Sequence, residues 1–303
     1  MTNKTKAKPE LSYFFYWNKL PVDSHEAFMW ELAENGAECL TLTWQLLKQF
    51  HQGDVSEKDF SKKAGRCGLK IINAHAPYGN GYCINPSDET FRREQIAAHE
   101  ECMRISAGLG ARTYALHLES SPYAEYPQDL EQLVRLSNDS AVKSLEALLP
   151  LAEKLNLILA VENCFSPYNT ADQVIDCISR FDSPWLGCCY DAGHANLMTS
   201  GKDVSRYSPY VRYYFWRDKI APEDHSLEKL APYIVTCHLH DNDGFSDQHD
   251  LPGSGTIAWE SLIPRLATCP RILSLQSEVE LFAHRIPVRR VCNTFNELKK
   301  WIS

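Results

Sequence analysis

The chain has 303 residues, of which 44% are hydrophobic and 23% are charged. This composition is that of an ordinary globular protein, so it excludes a disordered or a collagen-like chain. With 31 lysines and arginines against 39 aspartates and glutamates, the formal net charge is −8, and no overall positive field attracts a nucleic acid backbone.

The first ten residues are polar and contain no apolar signal-peptide core. We therefore expect a disordered lead-in over residues 1–10 and one folded domain over residues 11–303. No apolar run approaches the roughly 20 residues that span a bilayer, so we expect no membrane contact. The 11 cysteines are dispersed from Cys39 to Cys292 without a CxxC motif, which is typical of a reduced, cytoplasmic protein.

Short apolar, β-branched or aromatic runs alternate with longer segments of helical periodicity along the whole chain. The runs predict strands at residues 11–17, 37–44, 69–77, 111–118, 157–163, 185–194, 233–242 and 271–280. The segments between and after them predict helices at residues 24–36, 56–68, 86–110, 137–155, 170–181, 226–232, 257–267 and 291–302.

Strands that are buried on both faces appear in a sequence as continuous apolar runs, and helical connections make them parallel. About eight strand–helix units in a chain of this length therefore predict an α/β fold with a single closed (β/α)₈ TIM barrel. The alternative is an open doubly wound sheet. Such a sheet has a glycine-rich phosphate-binding turn after its first strand, whereas this chain has WNKLPVDS there. An aromatic-rich insertion, residues 201–225, follows the sixth strand. It is either a helical segment packed on the barrel wall or a lid or subunit contact over the site.

In such a barrel the functional side chains lie at the C-terminal ends of the strands. There the predicted strands three to eight and their loops carry His75, His117, Glu162, Asp191, His194, His238, His240, Asp247, His249 and Glu278. Because imidazole nitrogens and carboxylate oxygens are the usual ligands of divalent cations, this pattern predicts a metal site. His240 shares a strand face with His238 and is a candidate for supporting a ligand or binding substrate. Nearby cysteines fall within apolar runs and are interpreted as packing residues.

The chain contains, in this order, the segments NAHAP, YALHLES, LAVEN, YDAGHANL, CHLHDNDG, DQHDLPGSGTIAW and SEVE. Over about residues 11–300 it resembles the xylose isomerase-like TIM-barrel superfamily, which groups sugar isomerases and epimerases with family 2 apurinic endonucleases. The resemblance implies a metal-dependent sugar isomerase or epimerase that moves a proton of a ketose or related sugar through a metal-stabilised cis-enediolate. The carbohydrate substrate is then a small molecule.

The epimerase branch holds one divalent ion, and its ligands correspond here to Glu162, Asp191, His238 and Glu278. Glu280 is an alternative to Glu278, because both lie on one strand face. The resemblance implies Mn²⁺, Mg²⁺, Co²⁺ or Zn²⁺ as the ion, and Glu162 and Glu278 as the general base and acid. A homo-oligomer remains open.

The endonuclease branch implies an alternative, a DNA-repair phosphodiesterase with up to three Zn²⁺. His75, His117, His194, Asp247 and His249 match its additional ligands in type and order. The segments after the first two strands carry only two cations, Lys19 and Lys48, which favours a sugar over a nucleic acid. Other reactions of a carbohydrate, and a sugar-binding or metal-storage barrel without activity, are further alternatives. Three aromatic residues could form either an apolar wall for a sugar or part of the core: Phe14, Trp17 and Trp44.

Overall fold

The computed structural model describes residues 8–79, 81–118 and 129–302. Eight parallel strands close into a barrel in which each strand pairs with the next and the last pairs with the first. The strands are β1 Glu10–Tyr13, β2 Cys39–Leu42, β3 Lys70–His75, β4 Thr113–Leu116, β5 Ile158–Glu162, β6 Leu186–Asp191, β7 Ile234–Leu239 and β8 Ser274–Ser277. The predicted (β/α)₈ barrel is thus confirmed, and each strand lies within its predicted run except β1, which begins one residue earlier.

Helices follow the strands on the outside of the barrel. They are α1 His25–Glu34, α2 Trp44–Gln52, α3 Glu57–Arg66, α4 Glu89–Leu109, α5 Leu130–Leu155, α6 Ala171–Ser179, α7 Ala192–Met198, α8 Ser226–Leu230, α9 Trp259–Thr268 and α10 Val288–Lys300. None of the helices in the described ranges is both long and apolar enough to cross a membrane.

The structure differs from the prediction at the start of β1 and at the starts of α2 and α5. Residues 1–7 lie outside the described residues, so the disordered lead-in stays a prediction there, and Glu10 already belongs to β1. Trp44, taken as the end of a strand, begins α2, because the Thr43 hydroxyl accepts a hydrogen bond from the Leu46 amide and caps the helix. Likewise α5 begins at Leu130 rather than at residue 137, because the Asp129 side chain accepts a hydrogen bond from the Gln132 amide and caps the helix there.

A layer of polar side chains fills the barrel interior beneath its C-terminal mouth. The Asn73 amide donates to Ser12 Oγ (2.7 Å) and accepts from Thr113 Oγ1 (2.8 Å) and Ser274 Oγ (2.9 Å). Thr41, Thr236 and Gln276 extend this buried network. Because side chains two residues apart on a strand face the same side, this layer places the residues that follow it, His75, His238 and Glu278, on the interior face of the mouth.

Candidate metal centre

The predicted ligands meet at the C-terminal mouth of the barrel. Three of them end their strands, namely His75 in β3, Glu162 in β5 and Asp191 in β6. Seven of the ten are buried: His75, Glu162, Asp191, His194, His238, His240 and Glu278. The side chains of His117, Asp247 and His249 remain 16%, 23% and 17% exposed, so the mouth is open to a ligand on their side.

One set of four residues, here called the His238 group, consists of Glu162, Asp191, His238 and Glu278. One ligand atom from each lies within 4.8 Å of the others. His238 Nδ1 is 3.2 Å from Glu162 Oε1, 3.1 Å from Glu278 Oε2 and 3.8 Å from Asp191 Oδ2. Glu280 belongs to none of the ligand sets found among the described residues, and its amide donates to the His249 carbonyl.

The side-chain atoms of the His238 group that could bind a cation make few hydrogen bonds with one another. Among the described residues, Glu162 Oε2, Glu278 Oε2 and both ring nitrogens of His238 are buried without a hydrogen-bond partner. Buried polar atoms rarely remain unsatisfied in folded proteins. Three carboxylates and one imidazole are ligands that a divalent ion accepts, so the residues present fit a metal.

A second set, the His117 group, consists of His75, His117 and Glu162. Glu162 Oε2 lies 3.6 Å from His75 Nε2 and 3.4 Å from His117 Nε2, so Glu162 is shared between this group and the His238 group. A third set, the His249 group, consists of His194, His240, Asp247 and His249.

Three of the histidines are oriented as metal-binding histidines usually are. The Nδ1 atoms of His75, His194 and His249 donate to the carbonyls of Ala76, Asn163 and Glu278 at 2.8, 3.0 and 2.9 Å. These bonds leave each Nε2 for another partner, which is the tautomer that a metal requires. The Nε2 atoms of His194 and His249 lie 3.5 and 3.2 Å from Asp247 Oδ2.

His240 differs from its neighbours. Its Nε2 lies 3.2 Å from Asp191 Oδ2, and its ring stacks on that of His249 at 3.9 Å. Gly193 contacts the same ring so closely that a Cβ there would come within 2.6 Å of His240 Nε2. His240 therefore supports Asp191 and also belongs to the His249 group.

The electrostatics keep the carboxylates ionised. Burial alone would raise the pKa of Glu278, but His238 and His249 outweigh it and lower that pKa to about 2. For Glu162 burial is likewise outweighed, by His238 and His117, so its pKa falls well below its usual range. Burial lowers the pKa of His75 to about 4, so this imidazole is neutral. Ionised carboxylates and a neutral imidazole are the forms that bind a metal.

His238 differs in protonation state between the metal-free and the metal-bound site. Burial would lower the pKa of His238, but Cys189, Glu162 and Glu278 raise it well above its ordinary value. Without a cation this histidine is thus protonated and balances the carboxylates, and metal binding would release its proton. Burial raises the pKa of Cys189 to about 12, in keeping with its interpretation as a packing residue.

A cavity of about 630 Å³ lies above these groups. Seven predicted ligands form its floor: His75, His117, Glu162, His194, Asp247, His249 and Glu278. Aromatic side chains form much of its wall: Tyr16, Trp44, Tyr78, Phe165, Tyr210, Tyr214 and Phe215. No lysine or arginine is among the described residues that line it. The mouth therefore offers anionic and imidazole donors on one side and apolar faces on the other.

Of the three residues predicted as a sugar wall or core, only Trp44 lines the cavity, where its ring lies 4.9 Å from that of Tyr78. Trp17 is fully buried among Phe15, Phe28 and Phe60, and thus belongs to the core. Phe14 is 3% exposed and packs edge-on against His75 from outside the cavity lining.

Other wall residues were missed from the sequence. Tyr16, Tyr78 and Phe165 follow the ends of β1, β3 and β5 within a few residues. Because the segments after the strands form the mouth of such a barrel, this position in the sequence could have identified them as wall residues.

Both interpretations of the insertion hold in part. It contains a 3₁₀ turn at Val204–Arg206 and a π-helix at Tyr210–Phe215. Tyr207, Phe215 and Trp216 are buried, as a segment packed on the barrel requires. Tyr210 and Tyr214 are half-exposed and line the cavity, as a segment over the site requires.

Comparison with known proteins gives one family and a consistent fold. A family model described as xylose isomerase-like TIM barrel matches residues 31–275. The uncharacterized protein y4fM of Sinorhizobium fredii is 22% identical over 240 residues, which are 70% of this chain and 67% of that protein.

Two solved structures share the fold across nearly their whole length. A 3-keto-D-glucoside 4-epimerase from E. coli aligns with a TM-score of 0.69 at 15% identity, over 97% of this chain and all of that one. The IOLI protein, solved with a bound zinc atom, aligns with a TM-score of 0.67 at 16% identity, over 97% of this chain and 98% of that one. At these identities the likeness concerns the fold alone.

Proposed function

Since the chain belongs to the xylose isomerase-like TIM-barrel family, we propose that it is a metal-dependent sugar isomerase or epimerase acting on a ketose or a related sugar. One observation carries the proposal: the carboxylates of Glu162 and Glu278 lie 3.2 and 3.1 Å from the same atom, His238 Nδ1, within one buried group of metal-ligand type. The epimerase activity of the E. coli protein of the same fold supports it. The zinc atom bound by the IOLI protein supports a divalent metal here.

Glu162, Asp191, His238 and Glu278 would hold the ion, which is Mn²⁺, Mg²⁺, Co²⁺ or Zn²⁺. When bound, the ion supplies an electrophile that polarises a carbonyl and makes the neighbouring C–H more acidic. Glu162 and Glu278 are both ionised, so either can accept a proton from carbon and the other can return one. Both carboxylates reach the same nitrogen, His238 Nδ1, so both lie beside the space in which a bound sugar would react.

The remaining lining residues bind and orient the sugar. His194, whose Nδ1 is fixed on the Asn163 carbonyl, presents Nε2 to a substrate hydroxyl. Trp44, Tyr78 and Phe165 offer apolar faces to the C–H side of the sugar and exclude water from the reacting carbon. Because no lysine or arginine is among the described lining residues, we infer an uncharged sugar rather than a sugar phosphate.

One further observation favours a second candidate, a zinc phosphodiesterase that acts on DNA. The His117 and His249 groups accompany the His238 group, and together they have donors for up to three cations. A cluster of that kind can activate water against a phosphodiester. Two observations weigh against it. The cavity wall is aromatic, and no lysine or arginine is among the described lining residues, whereas a DNA backbone needs both space and positive charge.

Proton exchange from solvent tests the first candidate without a known product. The metal-loaded protein is incubated in D₂O with a panel of ketoses and keto-sugars, and incorporation of deuterium next to the carbonyl is followed by NMR. We expect exchange with at least one sugar. Glu162→Gln and Glu278→Gln should slow it by about 10² to 10⁴, the usual contribution of a general acid or base.

Glu260→Gln is the control, because Glu260 is an exposed carboxylate on α9, outside the ligand groups and the cavity lining. It should retain exchange within about threefold, the level expected for a surface change. Exchange that survives in both ligand variants, or is absent for every sugar, overturns the proposal. Incision of a duplex with an abasic site, together with about three zinc ions per chain by elemental analysis, would establish the second candidate instead.

A further inference from the structure

The cavity continues from the ligand groups toward the surface along a series of aromatic rings. The Phe165 ring lies 5.1 Å from that of His194, the Tyr210 ring lies 6.3 Å from Phe165, and the Tyr214 ring lies 5.1 Å from Tyr210. Tyr210 and Tyr214 are stacked, with an angle of 17° between their planes. Both line the cavity, yet they are 55% and 51% exposed. The wall therefore extends well beyond the residues that would bind the reacting sugar.

The backbone under the two tyrosines is fixed from within. Val211, Phe215 and Trp216 are buried, and Trp216 Nε1 donates to the Phe165 carbonyl at 2.7 Å. The π-helix that carries the tyrosines, Tyr210–Phe215, is a rare conformation that is frequent at functional sites. Leaving two large aromatic side chains half in water forgoes the stabilisation that their burial would give. Such exposure at the mouth of a cavity indicates a surface on which a ligand packs.

The size of the cavity points in the same direction. If each heavy atom of a ligand took as much as the roughly 30 Å³ of a water molecule in the liquid, a hexose of about twelve heavy atoms would fill at most about 360 Å³. The cavity holds about 630 Å³. The remaining volume is sufficient for a second ring, and the aromatic series gives such a ring a wall.

We propose that Tyr210 and Tyr214 form a subsite for the second ring of a substituted sugar, so that the ligand of this site is a saccharide with a further ring rather than a free monosaccharide. The inference rests on the proposed function, because the first ring occupies the same site. What the subsite recognises is the flat or C–H-rich face of a ring, which packs on tyrosine. An aromatic substituent and a second pyranose share this chemistry.

Calorimetric binding to the metal-loaded full-length chain tests the subsite. For glucose, galactose and mannose, the probes are the methyl glycoside, the phenyl glycoside and a disaccharide with that sugar at one end. We expect the phenyl glycoside, the disaccharide or both to bind about three- to tenfold more tightly than the methyl glycoside of the same sugar. Preference for the phenyl glycoside alone identifies an aromatic substituent, and preference for the disaccharide alone identifies a second sugar.

Tyr210→Ala and Tyr214→Ala should each reduce the ratio of the two affinities, larger probe to methyl glycoside, to about one. Tyr213→Ala is the matched control, since Tyr213 is 55% exposed on the same π-helix, lies beside Arg212 and is not among the cavity-lining residues. It should keep the full preference. Equal affinity for all three probes, no binding of any probe, or an equal effect of Tyr213→Ala overturns the inference.

The outcome is separable from that of the proposed function. Deuterium exchange into a ketose by the wild-type protein, without any preference between probes, overturns the subsite alone. Absence of exchange with every sugar overturns the proposed function and the subsite with it. Thermal unfolding of each variant shows that a lost preference reflects the missing ring, because half-exposed tyrosines contribute little to the core.

Discussion

Asn73, at the centre of the polar layer beneath the metal-ligand groups, provides a direct test of how the barrel interior is held together. Its side chain makes three buried hydrogen bonds, to Ser12, Thr113 and Ser274, at 2.7 to 2.9 Å. In Asn73→Leu all three are lost while the number of side-chain heavy atoms and the branching at Cγ are kept. Each bond contributes about 1 kcal/mol net, and the Thr113 hydroxyl loses the acceptor that Asn73 gave it, which adds about 1 to 2 kcal/mol. We therefore expect a loss of about 4 to 5 kcal/mol.

The assay is urea unfolding of the metal-free protein, followed by circular dichroism at a pH near 8. For a chain of 303 residues the unfolding entropy is about 0.64 kcal/mol per kelvin, so the same loss lowers Tm by about 6 to 8 °C. Asn35→Leu is the control, because Asn35 makes one exposed bond to the Glu31 carbonyl and should cost less than about 1 kcal/mol. A cost for Asn73→Leu as small as that of the control would refute the reasoning.

Two further predictions concern the cation and the pH. A divalent metal at about 100 times its Kd should stabilise the metal-free protein by about 2.7 kcal/mol and raise Tm by about 4 °C; an unchanged Tm in scanning calorimetry would contradict a site in the folded state. Burial lowers the pKa of His99 from 6.5 to about 4, so the unfolded chain binds the proton more tightly. The stability that neutral His99 provides is therefore complete above pH 6.5 and decreases as the pH falls toward 4, by about 2 kcal/mol at pH 5. Urea unfolding of the wild type should show this extra loss between pH 8 and pH 5 relative to His99→Gln; equal losses would exclude His99 as its source.

Much of the fold could be predicted because short apolar or β-branched runs alternate with segments of helical periodicity. The ligand positions could be predicted because three of them are the last residues of their strands. The start of α2 was missed, although Thr43 is a helix-capping residue, because the β-branched run before it continues into Trp44 without a break. Trp17 belongs to the core for a reason that no local pattern contains: Phe28 and Phe60, which surround it, come from α1 and α3.

The insertion shows a second limit of sequence patterns. An aromatic run predicts packing, but which rings are buried depends on the helix type. In the π-helix Tyr210–Phe215 the successive side chains do not follow the 3.6-residue period of an α-helix. As a result Phe215 is buried while Tyr210 and Tyr214 remain half-exposed, although all three line the cavity. The residues of the proposed subsite could therefore be listed from the sequence as candidates but not separated from Tyr213.

The ligand groups differ in what holds them, and this bears on how many cations the mouth can bind. The His238 group stands on strand ends, whereas Asp247 and His249 stand on the loop between β7 and α9. That loop is tied together by Asp241, a fully buried carboxylate that accepts hydrogen bonds from the Gly253 amide and the Trp259 indole, both at 2.8 Å.

The backbones of Asp241 and Asp250 also pair with each other, which closes the segment that carries Asp247 and His249. At its end His249 adopts a left-handed conformation (φ +50°), a strained geometry that its bond to the Glu278 carbonyl helps to hold. A change in this loop can thus remove the His249 group and leave the barrel intact, whereas the His238 group cannot be removed without altering the strands. Cation binding by the His249 group would therefore depend on the loop, whereas the reaction proposed here depends on the barrel.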